Sequence, residues 1–183
     1  AAGLKGKKIL STNISFGLDP RINAAGSMGI AKTAVKLLMT ENKEEAEWLT
    51  EELNQLNRER QQMESAILRQ AVEMMAERYD EHKAVVLAGE KWHQGVIGIV
   101  ASKLADRYKA PAFLISLDGE EGKASCRSYG GFNLFNALEQ ADGLLESYGG
   151  HALAAGFTIK RENIAAFRDL MDKLFEEFSA ECR

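Results

Sequence analysis

The hydrophobic pattern of the chain changes near residue 82, where a long helical periodicity gives way to short apolar runs. After this point the pattern predicts strands over 84–88, 112–117, 123–128 and 156–160. Helices are predicted over 95–108, 133–141 and 163–178. This order predicts an α/β fold over residues 83–183, in which flanking helices cover a mixed sheet of parallel and antiparallel strand pairs.

Ahead of that domain, a helical pattern without Gly or Pro runs from about Lys43 to Tyr79. Its apolar residues follow alternating steps of three and four, with Arg60 and Gln70 at the interrupted positions. At 1.5 Å per residue such a helix spans roughly 55 Å, so it either kinks or acts as a strut that joins two bodies. A coiled coil is the alternative, which the polar interruptions weaken. We therefore predict a long connecting helix over residues 43–82.

Residues 1–42 are predicted to combine an irregular segment with a short helix. Pro20 and Gly26 interrupt the stretch up to residue 26, and Ser27 is predicted to cap a helix over 28–39. The chain begins with Ala1 and not with Met, so we expect it to be an excerpt of a longer polypeptide.

Composition and charge narrow the class of protein. The chain is 45% hydrophobic and 27% charged, which is typical of a globular protein and argues against disorder. No apolar run approaches the roughly 18 residues of a membrane span, so no membrane association is expected. The two cysteines, Cys126 and Cys182, have neither metal-site spacing nor a disulfide framework, and a reducing cytoplasm fits them best.

The net charge of −4 argues against indiscriminate nucleic-acid binding, but it hides an asymmetry. Residues 1–40 hold six Lys or Arg against one acid, whereas residues 41–82 hold five against twelve. Local basic surface can bind phosphate even when the whole chain is acidic. The alternative, that the lysines of residues 1–40 only solvate a loop, stays equally open.

The stretch GEKWHQGVIGIVASKL, residues 89–104, places Trp92 and His93 at the start of a predicted helix. The first amides of a helix lack intrahelical partners and attract anions. Gly95 and Gly98 would allow a ligand or another backbone to approach, Trp92 could cover a base, and His93 could donate to a phosphate. The structural alternative is that Trp92 and His93 seal the sheet while the glycines permit close packing, and the residues alone slightly favour it.

Two further stretches could also bind an anion. In YGGHALAAG, residues 148–156, consecutive glycines make a turn whose amides could converge on an anion beside His151. In KASCRSYGGF, Ser125 and Arg127 are two apart on a predicted strand and therefore point to the same face. A hydroxyl beside a guanidinium suits a terminal phosphate, although both could equally occupy the solvent face of a half-exposed strand. Cys126, which points the other way, is interpreted as a core residue.

Metal chemistry has little support in the sequence. The three histidines are at positions 82, 93 and 151, and neither a HExxH helix nor a paired-cysteine site is present. There is also no phosphate-binding loop that ends in Gly-Lys-Ser or Gly-Lys-Thr. We therefore expect no metal site and no catalytic residue in this chain.

Five motifs occur in a fixed order along the chain: GLDPRINAAG, LNRERQQME, GEKWHQGVIGIVASKL, GKASCRSYGGFNL and YGGHALAAGFTI. This order resembles that of the RecJ-type single-strand-specific exonucleases, which belong to the DHH phosphoesterase superfamily. The similarity covers about residues 14–170, and the combination of five ordered motifs makes it highly specific.

The resemblance implies part of a 5′-to-3′ exonuclease for single-stranded DNA that works in recombination and repair. In that family an N-terminal DHH domain binds the catalytic Mn²⁺ or Mg²⁺, and a long helix connects it to a DHH-associated domain that closes over the cleft. This chain looks like the edge of the DHH domain, the connecting helix and the DHH-associated domain, so the isolated chain is expected to be inactive as a nuclease.

The resemblance also assigns residues. Ser125 and Arg127 match the pair that grips the 5′-terminal phosphate. The element Gly149, Gly150 and His151 matches one that faces the metal site and contacts substrate phosphate. Trp92 and His93 lie in a motif typical of the family, without a definite role. Arg21 matches the segment leading from the catalytic domain into the linker, and where many relatives have Arg after NAAG, this chain has Ser27.

Two alternatives stay open at this point. The chain could come from a DHH-superfamily enzyme that degrades short oligonucleotides or nucleoside phosphates. It could also be a non-catalytic module that binds nucleic acid or a protein partner. The long helix and the WHQGVIGIVASKL segment favour the exonuclease over the first alternative, and Asp and His motifs upstream in the full gene product would exclude the second.

Overall fold

A computed structural model describes residues 8, 10–77 and 83–181 of the chain. These residues form two compact units, Ala1–Met63 and Glu64–Arg183. The first unit contains α1 (Ser11–Asn13), a π-helical turn (Ile14–Leu18), α2 (Asp19–Ser27), α3 (Ala31–Met39) and the first part of α4 (Lys43–Ala76).

The prediction of an irregular segment up to residue 26 is wrong from Ser11 onward, because that stretch is helical. Pro20 lies in the first turn of α2, where a missing N–H removes no hydrogen bond, so it starts this helix and does not break the chain. The predicted cap at Ser27 is also wrong, because Ser27 is the last residue of α2. The turn into α3 is made by Gly29, whose φ of +76° is readily adopted only by glycine.

The helices of the first unit pack around a small apolar core. Its buried members are Ala25, Ala34, Leu53 and Leu56. The start of α4 is capped by Asn42, whose Oδ1 accepts hydrogen bonds from the backbone N–H groups of residues 44 and 45 at 2.9 and 3.2 Å. Leu53 and Leu56 lie on the face of α4 that packs against α2 and α3 in this core.

The predicted long helix is confirmed as one continuous element of 34 residues, α4. Its length is about 51 Å, and it contains no hairpin. The predicted end near Tyr79 falls outside the described residues. The two compact units divide inside α4, after Met63, whereas the sequence indicated a division near residue 82.

The second unit is an α/β layer built on a five-stranded sheet. After the end of α4 its elements are β1 (Val85–Glu90), α5 (Gln94–Tyr108), β2 (Ala112–Asp118), β3 (Glu121–Arg127), α6 (Leu134–Gln140), β4 (Leu145–Gly150), β5 (Ala154–Lys160) and α7 (Ile164–Glu181). The strand order is β1-β2-β3-β5-β4, in which β1 and β2 are parallel and all other pairs are antiparallel. The predicted mixed sheet with flanking helices is confirmed.

Strand β4 was not predicted. Its sequence LESYGG has no clear alternation and ends in two glycines, so local propensity does not favour a strand. It forms because β5 offers an antiparallel partner, with Gly149 opposite Gly156 and Gly150 opposite Ala155, although the register shifts between Leu145 and Ser147. The order is therefore β-α-β-β-α-β-β-α, with a hairpin where the sequence indicated only a glycine-rich loop.

The two faces of the sheet differ in what covers them. On one face the core closes through α7, where the ring centroid of Phe167 lies 5.6 Å from that of Phe113 and 4.6 Å from that of Phe157. On the opposite face α5 packs against β2 and β3, and Gly98 of α5 lies over Ser125 and Arg127.

The outer edge of β1 is protected by side chains of α7. The carboxylate of Asp172 accepts a hydrogen bond from the N–H of Ala84 at 3.1 Å, and Nε of Arg168 donates to the carbonyl of Val86 at 3.3 Å. Partial burial raises the pKa of Asp172 above its ordinary value, while Lys83 and the Ala84 N–H oppose that shift. These contacts satisfy polar groups that an edge strand would otherwise offer to another chain.

Candidate functional site

Strand β3 presents polar side chains on the face that it shares with α5. Ser125 and Arg127 both lie against Gly98, whereas Cys126 between them is fully buried on the opposite face. Burial raises the pKa of the Cys126 thiol far above its ordinary range, so this sulfur is an unreactive core atom. The predicted common face of Ser125 and Arg127 is therefore confirmed, as is the core position of Cys126.

Arg127 is half-buried and lies close to the backbone of α5. Its Nη1 donates to the carbonyl of Cys126 at 2.8 Å. A Cβ added to Gly98 would lie 2.9 Å from Nη2, so the absence of a side chain at this position leaves room for the guanidinium. Within the described parts of the chain, no carboxylate lies within ion-pair distance of Arg127. Its remaining donors can therefore bind an external anion.

The glycine-rich hairpin tip between β4 and β5 is stabilised by its own backbone. Gly150 has a φ of +136°, and a Cβ there would lie 2.5 Å from the carbonyl oxygen of Ala154, so this position requires glycine. The N–H of His151 donates to that same carbonyl at 2.9 Å. Gly149 is different, because a Cβ there would meet nothing within 4 Å. The sheet surface above Gly149 is therefore open.

His151 is exposed at this tip, and its Nδ1 accepts a hydrogen bond from the N–H of Leu153 at 3.3 Å. A neutral imidazole that accepts at Nδ1 carries its proton on Nε2. His93 has the same arrangement at the N-terminus of α5, where its Nδ1 accepts from the N–H of Gly95 at 3.2 Å. Each imidazole therefore stabilises a local turn and keeps Nε2 as a donor.

Trp92 is a packing residue in this structure. Its side chain is only 5% exposed, and its Nε1 donates to Oε1 of Gln70 on α4 at 2.8 Å. The ring lies directly on Gly89, where an added Cβ would be 2.0 Å from Cε2. A buried ring has no free face on which a base could stack, so this position argues against the contact with substrate that the sequence suggested.

Arg21 belongs to the first compact unit, whereas the other candidate residues belong to the second. Its Nε donates to Oδ1 of Asn54 at 2.7 Å, and its Nη1 donates to the carbonyl of Gly17. The first bond joins α2 to α4 and the second joins α2 to the preceding π-helical turn, so they give Arg21 a structural role within that unit.

An open pocket of about 390 Å³ lies on the α5 side of the sheet, at the first turn of α5. Its lining consists of Gln94, Ile97, Lys123, Ala124, Ser125, Ser147, Tyr148, Gly149, Gly156, Phe157 and Thr158. The structure thus brings Ser125 and Gly149 together, although they are distant in sequence.

Sequence reasoning did not single out Lys123, Ser147 and Thr158, which are among the polar residues of this pocket. The first carried a signal, because the alternation that pairs Ser125 with Arg127 also extends back to Lys123. The other two are brought to the pocket by the pairing of β4 with β5, which the sequence did not reveal.

Metal-ligand clusters and membrane-spanning helices are both absent from the described residues. No group of three or more His, Cys, Asp or Glu side chains there could hold a metal ion. The described residues therefore do not fit a divalent metal centre. None of the described helices is long and apolar enough to cross a membrane.

Comparison with known proteins gives consistent matches. The DHHA1 domain model matches residues 45–177. The single-stranded-DNA-specific exonuclease RecJ of Bacillus subtilis (strain 168) is 44% identical over 163 residues, which are 88% of this chain and 21% of that protein. RecJ of Thermus thermophilus is 39% identical over 168 residues, 92% of this chain and 24% of that protein. The chain thus spans less than a quarter of the length of these curated relatives.

Solved structures give the same result. The crystal structure of RecJ in complex with Mg²⁺ from Thermus thermophilus superposes with a TM-score of 0.85 at 36% identity, covering 94% of this chain and 27% of that one. A RecJ exonuclease bound to manganese superposes with a TM-score of 0.82 at 36% identity, covering 95% of this chain and 43% of that one. The chain therefore belongs to the DHHA1 domain family, and it is similar in sequence and structure to the corresponding part of RecJ exonucleases.

Proposed function

We propose that this chain is the substrate-gripping part of a cytoplasmic exonuclease that degrades single-stranded DNA from its 5′ end in repair and recombination. In this proposal Ser125 and Arg127 bind the terminal 5′-phosphate. Hydrolysis takes place in a DHH domain of the same polypeptide, which binds Mn²⁺ or Mg²⁺, so the isolated chain is inactive. Residues 1–42 would then adjoin that domain, and 43–82 would connect it to the substrate-binding domain over 83–183.

The single observation that carries the proposal is the environment of Arg127. Its guanidinium is half-buried, has no carboxylate partner among the described residues and lies beside the Ser125 side chain. A half-buried cation is stabilised most by a bound anion, and a guanidinium can offer two parallel donors to one phosphate.

The hairpin tip supports the proposal independently. Gly149 lies in the same cross-strand row as Ser125, because both are paired with Gly156. His151 follows at the tip with Nε2 as a donor. A nucleic-acid backbone on this surface would therefore find the Ser125 hydroxyl at one end of the row, no side chain at the two glycines, and the His151 donor two residues beyond Gly149.

The test is a comparison of 5′-phosphorylated and 5′-hydroxyl single strands in the complete gene product that carries this chain. Arg127→Ala is expected to lower kcat/KM on the phosphorylated strand about ten- to a hundredfold, because a charge-assisted bidentate contact is worth roughly 1.5–3 kcal/mol. The loss on the hydroxyl strand should be much smaller. Arg127→Lys should recover only part of the activity, because an ammonium keeps the charge but loses the planar fork.

Arg161→Ala is the matched control. Arg161 follows β5 at the end of the sheet opposite Arg127, where it pairs with Glu90 at 2.7 Å. This control should leave the ratio between the two substrates unchanged. If Arg127→Ala lowers both activities equally and in step with its melting temperature, Arg127 has a structural role and the proposed phosphate site is wrong.

A further inference from the structure

We infer that Lys123, Thr158 and Ser147 form a second phosphate subsite on the open sheet face, which binds a backbone phosphate next to the one held by Ser125 and Arg127. The inference rests on the proposed function, because it assumes that a single strand lies on this face. It adds a set of residues that binds the backbone of the single-stranded DNA and not its 5′ end.

The strand register aligns the three residues. Lys123 is directly opposite Thr158 across β3 and β5, and Thr158 is directly opposite Ser147 across β5 and β4. Directly opposed residues project to the same face of a sheet, and neighbouring strands are about 4.8 Å apart. An ammonium and two hydroxyls therefore form one row about 10 Å long, and all three line the open pocket.

This row is parallel to the row that contains Ser125. Lys123 precedes Ser125 by two residues, so the two side chains share a face and their Cα atoms are roughly 6.6 Å apart along the strand. That spacing is close to the backbone repeat of an extended nucleic-acid strand. Consecutive phosphates can therefore contact consecutive rows of the sheet.

The row that contains Ser125 consists otherwise of glycines. Ser125 is opposite Gly156, which is opposite Gly149, and above Gly149 there is no atom within 4 Å of an added Cβ. A sugar–phosphate backbone can thus approach the sheet closely at this level. The first turn of α5 adds the exposed amide of Gln94 at the rim of the same pocket.

The charge of Lys123 is available to a ligand. Lys123 is exposed, and no carboxylate among the described residues lies within ion-pair distance of its Nζ. By contrast, Lys160 at the end of β5 pairs with Glu146 at 3.6 Å. An ammonium without a carboxylate partner beside two hydroxyl donors suits a phosphate diester, which carries one negative charge and needs no bidentate fork.

The test is equilibrium binding of single-stranded oligonucleotides to the complete gene product without divalent metal, so that no hydrolysis occurs. Oligonucleotides carry a neutral methylphosphonate at the first, second or third linkage, with a 5′-phosphate or a 5′-hydroxyl. Lys123→Gln is expected to weaken binding to both unmodified strands about two- to fivefold, and to reduce the dependence of log affinity on log salt by about 0.7. At one of the three linkages, the methylphosphonate should weaken binding to the wild type but not to Lys123→Gln.

The controls separate this subsite from a general charge effect and from the terminal-phosphate site. Lys173→Gln, which removes an exposed cation from α7, should behave like the wild type with every oligonucleotide. In the double variant Thr158→Val with Ser147→Ala, a methylphosphonate at the linkage that no longer matters to Lys123→Gln should also have no effect on binding. In Lys123→Arg the same methylphosphonate should weaken binding as it does in the wild type.

Two results would overturn the inference. Lys123→Gln could remain as sensitive as the wild type to all three methylphosphonates, or its effect could be confined to 5′-phosphorylated strands. Failure of the proposed function is a different outcome, in which Arg127→Ala does not distinguish the two 5′ ends. Because Lys123 is exposed, its substitution should leave the melting temperature unchanged, which can be checked on each variant.

Discussion

Replacing Gly98 with alanine is expected to stabilise α5 and at the same time weaken the binding of a terminal phosphate by Arg127. Gly98 lies inside α5, where alanine is favoured over glycine by roughly 1 kcal/mol. The new Cβ would lie 2.9 Å from Nη2 of Arg127 and 3.6 Å from both Cζ of Arg127 and Cβ of Ser125. Only the contact with Nη2 is too short.

Moving the guanidinium away from the new Cβ should cost little stability but weaken phosphate binding strongly. Nη2 is the far end of a flexible side chain, so the guanidinium can move aside by several tenths of an ångström without disturbing the core. A bidentate contact is sensitive to such a shift, and it is worth roughly 1.5–3 kcal/mol when intact. We therefore expect the free energy of unfolding to rise by up to about 1 kcal/mol. The preference for 5′-phosphorylated strands should fall about tenfold.

Urea unfolding of the wild type and Gly98→Ala gives the stability change, and kcat/KM on the two 5′ ends gives the functional change. The combination with Arg127→Ala provides the control. If Gly98 acts through Arg127, Gly98→Ala should have no further effect on the ratio once the guanidinium is absent. A loss of stability, or an undiminished preference for the 5′-phosphorylated strand, would refute this reasoning.

Two further predictions concern stability. Gly89→Ala should destabilise the second unit by roughly 1–3 kcal/mol in urea, because its Cβ would lie 2.0 Å from the buried Trp92 ring. Gly143→Ala, which meets nothing within 4 Å, is its control, and equal stability of the two variants would contradict the packing argument. The raised pKa of Asp172 means that the folded state holds this proton more tightly than the unfolded state, so its contribution to stability is full at low pH and is lost as pH rises through the raised pKa. Asp172→Asn keeps an acceptor for the Ala84 N–H but does not ionise, so its stability relative to the wild type should increase as the pH rises above the ordinary pKa of an aspartate, and a constant or decreasing difference would contradict the argument.

The local sequence pattern was sufficient for most of the fold. Period-two and period-3.6 patterns depend only on which face of an element is buried, so they predicted four of the strands, the helix over 94–108 and the unbroken α4. The same rule put Ser125 and Arg127 on one face and Cys126 on the other, before any partner strand was known. Side-chain direction along a strand is a local property, and the sequence determines it directly.

Other features depended on contacts between distant segments. Strand β4 exists because β5 pairs with it, although its own residues have weak strand propensity. Trp92 looked suitable for stacking on a base, but Gly89 and Gln70 bury it. Neither contact is visible in the local pattern, because Gln70 lies on a different element.

The candidate site shows the same division. The sequence alone determined the residue types and the i, i+2 spacing on β3, which place a lysine, a serine and an arginine along one face. Only the tertiary structure decided what lies beside them: Gly98 against Arg127, and Thr158 and Ser147 in register with Lys123. Register is set by pairing between strands that are distant in sequence, and the spacing within one strand contains no information about it.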